Sequence, residues 1–167
     1  TTWVKDNGAP ETGLVAKPVT LDETDVPRIT FTNNLETGDV VLGKKLTGEI
    51  TDADKNQSFE FTLDVQVEDA DNLGEWKTDE TFAGVYTAIK TDADGRQTTS
   101  NVTFVDGQLK VHLKGNERLQ ISNLPTDTRM VISESVDSNY ETSHQIDNNS
   151  VVSGITTDQM TIGNGQM

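Results

Sequence analysis

The chain contains no cysteine. It therefore builds no disulfide framework and no thiolate metal site. Basic residues are scarce: 13 Lys and Arg stand against 28 Asp and Glu, a formal net charge of −15. A nucleic-acid interface needs a basic stripe, so that class of function is excluded, and an anionic bilayer repels the same surface. No apolar run is long enough to span a bilayer, and no signal peptide opens the chain. If the chain is a mature fragment, the missing signal says nothing about secretion. There is no Gly-rich phosphate loop, no Ser–His–Asp pattern that strands would assemble, and no segment with the period of an amphipathic helix. What remains is an acidic, well-solvated coat suited to solubility outside a cell. The 167 residues suffice for one core and an appendage.

Alternation of period two dominates, the mark of half-buried strands. The clearest run is Phe59, Phe61, Leu63, Val65 and Val67, interleaved with Glu60, Thr62, Asp64 and Gln66. Val40, Leu42 and Leu46 share a face, as do Val102 with Phe104, Leu109 with Val111 and Leu113, Leu119 with Ile121, and Met130 with Ile132. Turn signals separate these runs at Asp92–Gly95, Asp106–Gly107, Lys114–Asn116 and Leu124–Asp127. Many short strands at this spacing predict a sandwich of two antiparallel sheets. Residues 68–82 are polar and irregular and read as a long loop or insertion. The acidic clusters Asp52-Ala-Asp54, Asp69-Ala-Asp71 and Asp92-Ala-Asp94 lack the twelve-residue calcium pattern and read as hairpin turns. His112 and His144 have no metal-type spacing. Neither a metal nor a cofactor is expected.

The end of the chain repeats its beginning. Shifted by 141 positions, Thr1–Val26 falls on Thr142–Met167 without a gap. Asp6-Asn7 lands on Asp147-Asn148, Gly13 on Gly154, and Val19-Thr20-Leu21 on Met160-Thr161-Ile162. Self-similarity at one offset is the mark of a tandem array or a filament of like units. The first copy continues into Ile29-Thr-Phe-Thr-Asn33; the second stops short of its own version. With the boundary at the polar stretch Leu35–Asp39, residues 1–34 finish one unit and residues 35–167 make most of the next, which lacks its last strand. An unfinished sheet leaves backbone groups unpaired, so an adjoining unit, a neighbouring subunit or this chain's own N-terminus is expected to fill the gap.

Three polar residues share parity with apolar faces. Lys44 is in register with Val40, Leu42 and Leu46; Glu134 with Met130 and Ile132; Asn33 with Ile29 and Phe31. Lys45, the rival amine, points outward with Val41 on the same alternation. Removal from water favours a neutral amine and a neutral carboxylic acid. A neutral amine is a nucleophile, and a neutral acid can polarise a carboxamide. An asparagine between them can be attacked with loss of ammonia, leaving a Lys–Asn isopeptide. The bland alternative is a buried Lys–Glu ion pair with an asparagine nearby.

These residues resemble the B-type (CnaB-like) domains of collagen adhesins, found in Gram-positive pilins and adhesin stalks. The resemblance lies in Ile29–Asn33, Val41–Gly48, Ser58–Leu63, Val102–Phe104 to Leu113–Gly115, Leu119–Pro125 and Met130–Glu134, in that order. It implies an all-β, immunoglobulin-like antiparallel sandwich completed by a strand from an adjoining unit. It also implies that Lys44 is the bond-forming lysine, Asn33 the bond-forming asparagine and Glu134 the catalytic acid that shuttles the proton. Because Asn33 closes one unit just before Lys44 opens the next, the two are not expected to bond to each other. Asn33 joins a lysine of the preceding unit, and Lys44 an asparagine of the following one. Two departures stand out: Thr126-Asp127-Thr128 replaces the usual glycine after the Leu-Pro turn, and no sorting signal or pilin-motif lysine is present.

The implied protein is a structural repeat of an extracellular bacterial fibre, pilus-like filament or adhesin stalk. It is not an enzyme beyond one self-crosslinking event, and its partners are like units. A bond tying the first strand to the last, treated like a disulfide across on the order of a hundred residues, contributes about 4–5 kcal/mol. The alternative is a ligand-binding adhesin module that presents loop 68–82 and Trp76 to a glycan or host matrix protein.

Overall fold

The computed structural model describes residues 2–5, 11–12, 29–33, 35–135, 137 and 139–163. Asp6, Asn7, Gly13 and Val19–Leu21, which carry part of the repeat, lie outside the described residues. The chain divides into two compact units, Thr1–Glu36 and Thr37–Met167.

In the first unit, β1 (Thr2–Lys5) is flanked by β2 (Glu11–Thr12) and β3 (Ile29–Thr32), both antiparallel to it. The second unit runs β4 (Thr37–Gly43), α1 (Asp52–Asn56), β5 (Ser58–Glu68), β6 (Trp76–Thr78), β7 (Gly84–Thr91), β8 (Gln97–Phe104), β9 (Gln108–Lys114), β10 (Arg118–Pro125), β11 (Arg129–Glu134), β12 (Ser143–His144), β13 (Val152–Ser153) and β14 (Met160–Thr161). One sheet has the order β4-β10-β7-β8. The other runs β14-β11-β5-β6, with β9 also paired to β5. β12 and β13 form a separate hairpin. Every pairing is antiparallel, as the alternation predicts for an all-β sandwich.

The core lies between the two sheets. Phe59, Phe61, Leu63 and Val65 of β5 face in, together with Val111 and Leu113 of β9 and Met130 and Ile132 of β11. Val40, Ala88, Phe104, Leu119, Ile121 and Leu124 come from the facing sheet. Asp39 closes a bulge between β4 and β10: its carboxylate accepts from Gln120 Nε2 (2.7 Å), Ser122 Oγ (3.1 Å) and Asn123 N–H (3.3 Å). At the Leu-Pro turn, Asp127 takes φ +65, the left-handed conformation for which a glycine would be suited. Thr126-Asp127-Thr128 thus makes this turn without a glycine.

Two local readings need correction. Asp52–Asp54 is not a hairpin turn; it opens α1. Thr51 caps that helix by a reciprocal box with Asp54, and Lys55 Nζ donates to Asp52 Oδ1 at 2.9 Å. The helix's five residues carry no apolar period, because none of their side chains is buried. Residues 68–82 are not all loop, since Trp76–Thr78 forms β6 on the end of β5. The Asp69 carboxylate organises that hairpin, accepting from Lys77 Nζ at 2.8 Å, Asn72 Nδ2 at 3.1 Å and Asp71 N–H at 3.2 Å.

Two of these carboxylates are held below the usual carboxylate range. Hydrogen bonds from the Thr51 hydroxyl first, and from Tyr140 next, hold Asp54 at about 2, below its ordinary 3.8. Lys77, then Asn72, hold Asp69 at about 2. The Asp54 hydrogen bond in turn pushes the Tyr140 hydroxyl up to about 12. Carboxylates whose folded pKa is depressed stabilise the fold above the unfolded value, and this is lost as pH falls through the folded value. The urea midpoint is expected to fall as pH drops from about 4 to about 2. Asp54→Asn should make that part of the titration shallower, as measured by fluorescence-detected unfolding at successive pH values.

Candidate functional site

Lys44 immediately follows β4, and its backbone is fixed on both sides. Its N–H donates to Glu117 O (3.0 Å), and its carbonyl accepts from Asn116 N–H (2.7 Å). Both partners lie at the β9–β10 turn, the Lys114-Gly-Asn signal in the sequence. Glu134 ends β11, opposite Phe61 of β5. Its N–H donates to Ile155 O at 2.8 Å.

Residues 90 positions apart thus meet: Lys44 Nζ donates to Glu134 Oε1 at 2.5 Å. Both side chains are about nine-tenths buried, at 10% and 9% exposure. The amine lies 4.2 Å from the centre of the Phe59 ring and 6.0 Å from that of Phe61. Phe59 is backed edge-on by Tyr140, whose hydroxyl is held by Asp54. The pair spans the two layers, since β4 and β11 belong to different sheets. Aromatic faces on the amine side exclude water, so the contact between nitrogen and oxygen lies in a poorly solvated space. Lys45 is exposed.

Asn33 belongs to the first unit, follows β3 and is exposed there; Phe31, of the same parity, is 50% exposed. The structure therefore brings Lys44 and Glu134 together, while Asn33 stands on the surface of a separately described unit.

A second carboxylate–amine contact was not anticipated. Glu117 is buried, accepts from Lys114 N–H (2.7 Å), and lies 2.6 Å from Lys90 Nζ. Lys90 is 38% exposed, so water reaches its amine and this pair differs in character from the first. His112 lies 3.6 Å from Glu60 on the surface, and one face of the Trp76 ring is covered by the Arg129 guanidinium at 4.0 Å. The clustered aspartates are engaged as turn and cap acceptors. Among the described residues, no group of three or more metal-ligating side chains converges.

The family model described as "Domain of unknown function (DUF7601)" matches residues 38–166. Among solved structures, the chain is similar to the major pilin from Streptococcus pyogenes, at 20% identity and a TM-score of 0.57. Two alanine mutants of that pilin match at 17% identity, with TM-scores of 0.55 and 0.54. Each match covers 77% of this chain and 44% of the pilin, so the chain spans less than half the length of those structures. No curated protein sequence matches the chain. The likeness is one of fold: the all-β antiparallel architecture expected from the alternation is shared with those pilin structures.

Proposed function

The chain belongs to the DUF7601 family, and from that premise we propose that it is a structural repeat of an extracellular bacterial fibre, pilus-like filament or adhesin stalk, crosslinked to its neighbours by Lys–Asn isopeptide bonds. The observation that carries this reading is the dry contact between Lys44 and Glu134 against Phe59 and Phe61. Charges are rarely withdrawn from water without a use, because desolvation offsets much of their attraction. The pilin-type fold supports the assembly half of the reading, and the acidic surface supports solubility outside a cell.

The chemistry balances without a cofactor. Lys44 passes a proton to Glu134, leaving a neutral amine beside a neutral acid. The acid hydrogen-bonds the carboxamide oxygen of an incoming asparagine and polarises its carbon. Nζ attacks that carbon, the C–N bond of the carboxamide breaks, and protons relayed through Glu134 leave with the nitrogen as ammonia. One amide bond forms, one breaks, and no catalyst is regenerated for a second substrate. Asn33 supplies the carboxamide for a preceding unit, and Lys44 takes one from a following unit. The partners are like units; neither nucleic acid nor membrane enters the scheme.

Concentrated wild-type chain is expected to yield multimers that survive boiling in detergent. Intact mass should show the loss of one ammonia per link. Lys44→Ala, Glu134→Ala and Asn33→Ala should each abolish them. Multimers that persist in Lys44→Ala, multimers that keep their full ammonia complement, or a wild-type chain that forms none would overturn the reading.

A further inference from the structure

We propose that the open edge of β12 receives a strand of the Ile29–Asn33 type from the following unit, in one register: its Phe31 opposite His144 and its Asn33 beside Thr142. The proposal rests on the array part of the reading above and not on the crosslink.

The sequence repeat has a structural counterpart. In the first unit Thr2 pairs with Thr12 and Trp3 with Glu11. In the second, Ser143 pairs with Ser153 and His144 with Val152. The offset of 141 that relates the two sequences carries each pair of the first hairpin onto a pair of the second. The same hairpin is built twice in the same register. In the first unit, however, a third strand lies on the far side of β1: Thr32 opposite Thr2, Phe31 opposite Trp3, Thr30 opposite Val4 and Ile29 opposite Lys5. In the second unit, among the described residues, β12 pairs with β13 alone. Carried over by the same offset, the third strand would place Thr32, Phe31, Thr30 and Ile29 opposite Ser143, His144, Gln145 and Ile146.

Two further observations agree with that register. Gly154 N–H donates to Thr142 O at 2.9 Å, so Thr142 and His144 direct their backbone groups toward β13. Antiparallel alternation then turns those of Ser143 and Gln145 toward the open edge, where an incoming strand needs them. The side chains agree as well: Thr142, His144 and Ile146 are half-buried, whereas Ser143 and Gln145 are exposed. Cross-strand neighbours share a face. The incoming Ile29, Phe31 and Asn33 therefore turn inward, and Thr30 and Thr32 meet solvent. A slip of one residue would bury the threonines and expose the asparagine. The end of the strand that carries Asn33 lies toward Glu134, because Thr142 bonds Gly154 and the next residue, Ile155, accepts from Glu134 N–H.

The native chain has no cysteine, so introduced thiols report the register directly. A synthetic peptide of residues 27–34 carrying Phe31→Cys, and Asn33→Ala so that no isopeptide can form, is mixed with the full chain bearing His144→Cys or Gln145→Cys under glutathione redox buffer. The His144→Cys chain is expected to couple at least about tenfold more, since the alternative places the two thiols on opposite faces. In parallel, the peptide without Phe31→Cys is added to the unmodified chain, and the amides of Ser143 and Gln145 should slow in hydrogen exchange. Equal coupling, preference for Gln145→Cys, or exchange unchanged at these amides would overturn the proposal. Coupling in the stated register with no ammonia loss in the native chain would sink the crosslink alone. Ammonia loss with a different register would sink this inference alone.

Discussion

Glu134→Ala is expected to destabilise the second unit by about 3–5 kcal/mol, because the Lys44 ammonium is left against Phe59 and Phe61 with its charge partner gone. The same cost does not follow from removing both groups. Lys44→Met combined with Glu134→Leu fills the space with apolar atoms and is expected to leave stability unchanged or to raise it. Urea unfolding of the two variants separates a pair kept for stability from a pair kept for reactivity. If Glu134→Ala costs less than about 1 kcal/mol, the contact behaves like an exposed salt bridge and the dry-site argument fails. If the double replacement costs as much as the single one, the pair is a structural clasp and needs no chemistry to explain it.

Phe104→Ala is expected to cost about 3–5 kcal/mol, the range for removing a fully enclosed ring. Phe104 is 0% exposed and meets Phe82 and Tyr86 edge-on, at centroid distances of 5.3 and 5.7 Å. It closes β8 opposite Gly84 of β7, so the cavity would open where two strands and the 79–82 turn converge. Val85, one residue along β7, is 65% exposed, and Val85→Ala should stay within about 0.5 kcal/mol. A loss below about 1 kcal/mol for Phe104→Ala would mean that the rings collapse to fill the space.

Strands with one wet face were legible in the sequence, because water and core select opposite parities. That logic located β5, β9 and β11, and it singled out Lys44 and Glu134 as polar groups among apolar neighbours before any contact was known. It was silent where the physics differs. β7 turns Val85 outward and Ala88 inward, so hydrophobicity does not track burial along it. The first half of β8, Gln97–Asn101, is exposed throughout and carries no apolar period. α1 is fixed by a capping box with Asp in its third position, a local hydrogen-bond device that an apolar pattern cannot report. The Glu117–Lys90 contact joins residues from two strands and a turn, and only the folded register shows it.

The border at β8 has a consequence of its own. The four-stranded sheet ends on one side in β4, with Val40 and Leu42, and on the other in this row of hydroxyl and carboxamide groups. Water satisfies such a row well, and the side chains of Gln97–Asn101 offer a foreign sheet little apolar surface to bury. In the fibre proposed above, that flank would let neighbouring threads lie close together at a crowded surface and remain separate strings.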